Sequence, residues 1–116
     1  MGKVLFVGFK GKNNASGKLA AACSPEHLLL TNSFAGLRKD IDLAGDGYDH
    51  VILFGVDKTL TSMVRIEISD APLNSLCNEA YWQALTKYDG RAVFIHISTT
   101  KNADEKYINK LKSVFE

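Results

Sequence analysis

Residues 51–55, Val-Ile-Leu-Phe-Gly, are the stretch of sequence that decides the fold. Four consecutive apolar residues are typical of a strand buried on both faces, because a strand with one solvated face alternates apolar and polar residues. The turn sequence Asp46-Gly47-Tyr48-Asp49 before them and the glycine after them limit the strand to a few residues. We therefore predict a central strand of a mainly parallel sheet.

Four further strands are predicted, two before this segment in the chain and two after it. Residues 4–7 form an apolar run that ends at a glycine, and residues 27–31, His-Leu-Leu-Leu-Thr, are predicted as a second strand. Residues 63–68 alternate apolar and charged side chains, which indicates a strand at an edge of the sheet or beside a cleft. Residues 92–97 are apolar except for one histidine.

Helices are predicted between the strands. Asn14 or Ser16 caps an Ala-rich helix, and further helices are expected over 34–43 and 75–87 and after Asn102. In the helix over 34–43, the residues expected to face inward are Phe34, Leu37 and Ile41. In the last helix the buried residues are expected to be Ile108, Leu111, Val114 and Phe115. This alternation predicts a single three-layer α/β/α domain over residues 1–116, with about five strands and ligands beyond the carboxyl ends of the strands.

Composition limits the possible classes of function. The chain has 116 residues, 46% of them hydrophobic, and a formal net charge of +1, which describes one domain with a real core. Such a balance gives no electrostatic reason to expect a nucleic acid or a membrane surface as partner. We expect neither a signal peptide nor a membrane-spanning segment, and the two cysteines lead us to expect a cytoplasmic protein with reduced thiols.

The loop over residues 8–18 is the first candidate site, because it connects a strand to a helix as a phosphate-binding loop does. Five residues separate Gly11 from Gly17 where that motif has four, and Leu19 replaces its Ser or Thr. Asp57, after the central strand, would have to supply the acidic residue of such a site. A tight turn from strand to helix is the favoured interpretation, and a divergent P-loop nucleotide-binding protein is the lesser alternative.

Cys77 is the candidate nucleophile. With Asn74 as N-cap it lies in the first turn of the helix over 75–87, where backbone amides and the helix dipole stabilise a thiolate or an oxyanion. It also shares an apolar helical face with Tyr81, so a buried structural thiol is the alternative interpretation. Cys23, at the end of the Ala-rich helix, is expected to be structural.

His96 is the candidate base. It is the single non-apolar residue of its strand, so it needs either a hydrogen-bond partner or a polar pocket. Its position near the end of the strand favours a cleft, where an imidazole could activate a thiol. His27 and His50 precede strands at the opposite end of the sheet and are expected to be surface residues.

Six short segments, distributed over most of the chain, carry a resemblance to one known family. They are Lys-Val-Leu-Phe-Val-Gly-Phe at 3–9, Asn-Ala-Ser-Gly-Lys-Leu-Ala at 14–20, the strand at 51–55, Arg-Ile at 65–66, Leu-Cys-Asn at 76–78 and Phe-Ile-His at 94–96. Together they resemble the pyroglutamyl peptidases (pyrrolidone carboxyl peptidases), which are cysteine hydrolases that remove an N-terminal pyroglutamate from peptides.

The resemblance implies roles for individual residues. It makes Cys77 the nucleophile and His96 the general base and acid, and it assigns substrate binding to Phe9 and Asn14. The substrate would be a small peptide or amide, with neither a cofactor nor a metal. A homo-oligomer is also expected to be possible, since the open sheet would leave apolar edges exposed.

The chain departs from the family pattern at three places. Val64 falls where the family has its catalytic glutamate. Either Glu67 or Asp70 replaces it, with Glu67 nominated to orient the imidazole of His96, or Cys77 and His96 act as a dyad without an acid. The family's Pro-Phe-Gly-Gly is shortened to residues 10–12, and a longer segment is reduced to residues 69–75. These departures leave open a second interpretation, a catalytically inactive relative that serves as a binding or assembly module.

Overall fold

Strands and helices alternate as the sequence pattern predicts, except that no helix is described between the third and fourth strands. The computed structural model describes residues 3–12, 14–56, 64–66 and 76–97, and at 56, 64–66, 96 and 97 the description concerns the backbone. The elements are β1 (Val4–Phe9), α1 (Ala15–Cys23), β2 (His27–Leu30), α2 (Phe34–Leu43), β3 (His50–Val56), β4 (Val64–Ile66), α3 (Leu76–Lys87) and β5 (Ala92–Ile97).

The described strands form one sheet in the order β2-β1-β3-β5-β4. The strands β2, β1, β3 and β5 are parallel, and β4 is antiparallel to β5 at the edge. The predicted central strand is therefore confirmed as β3, and the alternating segment is confirmed as an edge strand.

Helices cover both faces of the sheet, which confirms the three-layer α/β/α architecture. Helices α2 and α3 pack on one face, where we call the buried cluster the α2–α3 core. Its residues are Leu5, Val7, Phe9, Leu30, Leu37, Ile41, Val51, Leu53, Ala80, Tyr81, Ala84, Tyr88, Ala92 and Phe94. Helix α1 covers the other face through the α1 core, formed by Phe6, Leu19, Ala20, Cys23, Ile52, Phe54 and Ile95. Along β1, β3 and β5, alternate positions separate onto the two faces, as the pleat requires.

Helix α2 has the predicted bounds but not all of the predicted inward residues. Leu37 and Ile41 are buried, whereas the inward position expected for Phe34 is wrong, because 39% of that residue is exposed. Phe34 is the first residue of the helix, and its ring lies 5.9 Å from the guanidinium carbon of Arg38 rather than in the core. Such a cation–π contact is compatible with an exposed ring.

Polar contacts join α2 to α3 at both ends. The Nζ atom of Lys87 donates to the carbonyl oxygens of Ile41 and Asp42 at 2.7 and 3.0 Å, at the carboxyl end of α2, where a cation is favourable. Nearer the amino ends, Arg38 forms an ion pair with Glu79 at 2.5 Å, and this hydrogen bond lowers the pKa of Glu79. The two helices therefore run in the same direction, with the first turn of α3 at the carboxyl end of the sheet.

Several predicted features lie outside the described residues. They are the helix after Asn102, the cap Asn74 and the carboxylates Asp57, Glu67 and Asp70. Among the helices that are described, none has the length and apolar character needed to cross a membrane.

Candidate functional site

The first turn of α3 brings Cys77 onto the carboxyl end of β3. Cys77 is the second residue of the helix and is half-buried. Its Sγ atom lies 2.9 Å from the point where a Cβ would stand on Gly55. The sulfur therefore occupies space that the side chain of any other residue type at position 55 would fill. Backbone amides of a first helical turn lack intrahelical acceptors, which makes this an electropositive position for a thiol.

The register of the sheet places His96 beside the same glycine. Gly55 and His96 are paired residues of the parallel strands β3 and β5, and such strands lie about 4.8 Å apart. Because strand positions alternate between faces, position 96 belongs to the same face as Phe94, whose ring contacts Tyr81 of α3. The sulfur of Cys77 therefore lies over the strand residue that is paired with position 96, on the α3 side of the sheet. Their action as a catalytic pair stays a prediction.

Position 64 lies on the other side of position 96. In the antiparallel ladder of β4 and β5, Val64 is the direct partner of His96. Position 96 is thus flanked by Gly55 on one strand and by Val64 on the other. The residue that the family resemblance assigns to the catalytic acid is therefore the backbone neighbour of the candidate base, and it is apolar.

The start of α1 contains a closed hydrogen-bond network. Asn14 is the N-cap, and its Oδ1 accepts from the Ser16 backbone N at 3.0 Å and from Ser16 Oγ at 2.6 Å. Ser16 Oγ in turn accepts from the backbone N of Phe9 at 3.0 Å, and Ser16 is completely buried. Sequence reasoning treated Ser16 as a possible cap and missed its bond to β1, because that partner is known only once the helix lies on the strand.

The two residues predicted to bind substrate, Phe9 and Asn14, have structural contacts: Phe9 packs in the core and Asn14 caps a helix. Phe9 is 5% exposed and belongs to the α2–α3 core, and Asn14 caps α1. Their roles in substrate binding stay predictions. The same loop also bears on the P-loop alternative: Asn14 already accepts from the first-turn amide of Ser16, and a Cβ on Gly17 would lie 2.5 Å from the carbonyl oxygen of Phe9. The geometry supports the interpretation of this loop as a tight strand-to-helix turn.

A polar cluster at the ends of β1 and β2 was not singled out in the sequence. Asp40 Oδ2 accepts from the backbone N of Thr31 at 2.7 Å, and Thr31 Oγ1 accepts from Lys10 Nζ at 3.4 Å. Burial raises the pKa of Asp40, but the hydrogen bonds from Thr31 together with the charges of Lys10 and Lys39 lower it overall. The cluster connects α2 to the carboxyl end of β2.

The remaining candidate residues lie away from this end of the sheet. Cys23 is 4% exposed and belongs to the α1 core, on the face opposite Cys77, as expected for a structural residue. His27 and His50 are the first residues of β2 and β3, at the amino ends of the strands. Among the described residues, no group of three or more His, Cys, Asp or Glu side chains is placed to hold a metal ion.

Known proteins add no further information about this site. No protein-family model, curated protein sequence or solved structure matches the chain. The resemblance to the pyroglutamyl peptidases therefore stays a prediction that rests on the short segments quoted above.

Proposed function

We propose that the protein is a cysteine hydrolase of the pyroglutamyl-peptidase type, acting on a small N-terminal acyl or amide group. Cys77 is the nucleophile and His96 is the general base and acid. One observation carries the proposal: the Cys77 sulfur lies against Gly55, the residue that the sheet register pairs with His96. A thiol and an imidazole are the two groups that thiol hydrolysis requires, and the carboxyl end of a parallel sheet is where ligands bind.

The proposed reaction has two stages. His96 takes the proton of the Cys77 thiol, and the thiolate attacks the carbonyl carbon of the substrate amide. Collapse of the tetrahedral intermediate breaks the C–N bond, and His96 gives its proton to the leaving amine. Water then adds to the thioester and releases the carboxylic acid, which restores the thiol.

The first turn of α3 would assist both stages. Its backbone amides and the helix dipole favour negative charge, first on the sulfur and then on the oxygen of the tetrahedral intermediate. The proposal also requires a reduced Cys77, which agrees with the cytoplasmic location expected from the sequence.

A second candidate function is a non-catalytic binding or assembly module. The observation that favours it is the pairing of Val64 with His96, since a valine cannot orient an imidazole by a hydrogen bond. In this alternative a partner protein would bind at exposed apolar side chains such as Trp82 and Leu43, which are 47% and 75% exposed.

Hydrolysis of a pyroglutamyl amide, measured together with alkylation of each cysteine, separates the two functions. We expect the wild type to hydrolyse the substrate and Cys77→Ala to lose at least about a thousandfold in kcat/KM. Cys23→Ala, which removes the cysteine of the α1 core, is the matched control and should keep the activity.

Iodoacetamide gives an independent measure of activation. We expect Cys77 of the wild type to react below pH 7 faster than a model thiol, because the thiolate is stabilised. An unactivated Cys77 in a protein that hydrolyses no pyroglutamyl amide would overturn the proposal in favour of the binding module.

A further inference from the structure

Gly55 interrupts the side-chain pattern of the central strand. Val51 and Leu53 precede it on the same face of β3 and fill the α2–α3 core. At position 55 the alternation calls for a third side chain directed at α3, and the residue is a buried glycine. A glycine inside a strand weakens it, and it often marks a close approach of other atoms.

The lack of space for a side chain, rather than the backbone conformation, explains why residue 55 is a glycine. Gly55 belongs to the regular ladder between β3 and β5, and its φ lies outside the left-handed region that favours glycine. A Cβ there would stand 2.7 and 2.8 Å from Cζ and Cε1 of Phe94 and 2.9 Å from Sγ of Cys77. Real Cβ atoms do not approach other atoms this closely, so the sulfur and the ring edge share the volume of a missing side chain.

We propose that Gly55 is a positioning residue for Cys77. The missing side chain lets the first turn of α3 lie directly on the sheet, so that the sulfur lies against the residue that pairs with position 96. Any larger residue at 55 would move the sulfur away from that place or move the ring of Phe94. This inference rests on the proposed function for its catalytic meaning, although the contact itself can be tested separately.

The first test measures the pH profile of Cys77 alkylation by iodoacetamide in Gly55→Ala. We expect the rate below pH 7 to fall at least about tenfold and to follow a model thiol, with kcat/KM for the pyroglutamyl amide falling in parallel. Gly47→Ala is the matched control, since a Cβ there meets no atom within 4 Å, and it should reproduce the wild-type profile. A folded Gly55→Ala protein that keeps the wild-type profile would overturn the inference.

The second test measures the contact without any reference to catalysis. In a double-mutant cycle, Gly55→Ala should lower the Tm by several degrees in the wild type and by clearly less in the Cys77→Ala background. The reason is that the alanine at position 77 has no sulfur for the new Cβ at position 55 to meet. If Gly55→Ala alone does not fold, the same cycle is run in a Phe94→Leu background, which removes the ring atoms from the crowded space.

The two outcomes are distinguishable. Equal losses of Tm in both backgrounds would show that Gly55 does not support the sulfur, and would overturn the inference whatever the activity. A clear coupling in a protein whose wild-type Cys77 is unactivated would overturn the proposed function and leave the contact between Gly55 and Cys77 established.

Discussion

The first turns of α1 and α3 both lie on the sheet above a glycine, yet the two contacts differ in kind. At Gly8, a Cβ would meet main-chain atoms of α1, at 2.6 Å from the carbonyl carbon of Ser16 and 2.7 Å from Cα of Gly17. At Gly55, a Cβ would meet side-chain atoms, the sulfur of Cys77 and the ring of Phe94. At Gly8 the helix backbone lies against the strand backbone, whereas at Gly55 the space beside the strand backbone is filled by side chains, one of which is the thiol of Cys77.

The polar groups at the amino ends of α1 and α3 also differ. The amino end of α1 is closed, because Asn14 accepts from the Ser16 hydroxyl, and that hydroxyl accepts from the backbone N of Phe9. The amino end of α3 carries a half-buried thiol beside the backbone position of His96. The comparison teaches that a glycine in a strand brings a helix close to the sheet, and that the side chain in the first helical turn decides whether this approach serves packing or chemistry.

The largest expected effect on stability is that of Gly8→Ala. The backbone of α1 cannot move away from a new Cβ without moving the helix, so we expect a loss of about 3 kcal/mol or more in the free energy of unfolding. Urea denaturation measures it, with Gly55→Ala as the comparison, where side chains can adjust and the loss should be smaller. Equal losses in the two variants would remove the distinction between a backbone and a side-chain contact.

Ser16→Ala should have the next largest effect. It leaves the buried backbone N of Phe9 without the Ser16 hydroxyl as its acceptor, so we expect a loss of about 1–3 kcal/mol in stability. The control is Ser24→Ala, whose hydroxyl accepts an exposed bond from Glu26 and should cost less than about 0.5 kcal/mol. Cys77 alkylation should not change in either variant. A change in that rate on Ser16→Ala would mean that the two helix ends are coupled.

Val64→Glu should have the smallest effect, and it acts at the α3 end alone. A carboxylate placed as the direct strand neighbour of His96 should orient the imidazole and raise kcat/KM for the pyroglutamyl amide about tenfold, or about 1.4 kcal/mol. Val64→Gln is the control, because glutamine has nearly the same shape as glutamate but carries no charge. An equal rise in both variants, or none, would show that position 64 does not act on His96.

The agreement between sequence and structure is greatest where hydrophobic periodicity is strong. The bounds of α2 match the predicted 34–43, and the apolar run at 51–55 predicted the central strand, because burial on both faces requires a continuous apolar segment. The prediction failed at Phe34, because a residue at the end of a helix can find a partner in its own next turn, in this case Arg38. Periodicity contains no information about that choice.

The sequence by itself determined the α/β alternation, the central strand and the types of the two candidate groups, Cys77 and His96, since these follow from local patterns of polarity and from helix and strand signals. Only the tertiary structure decided that Gly55 lies under the sulfur and that its ladder partner is His96. The physical reason is that strand register and the seating of a helix on a sheet depend on packing between segments far apart in the chain.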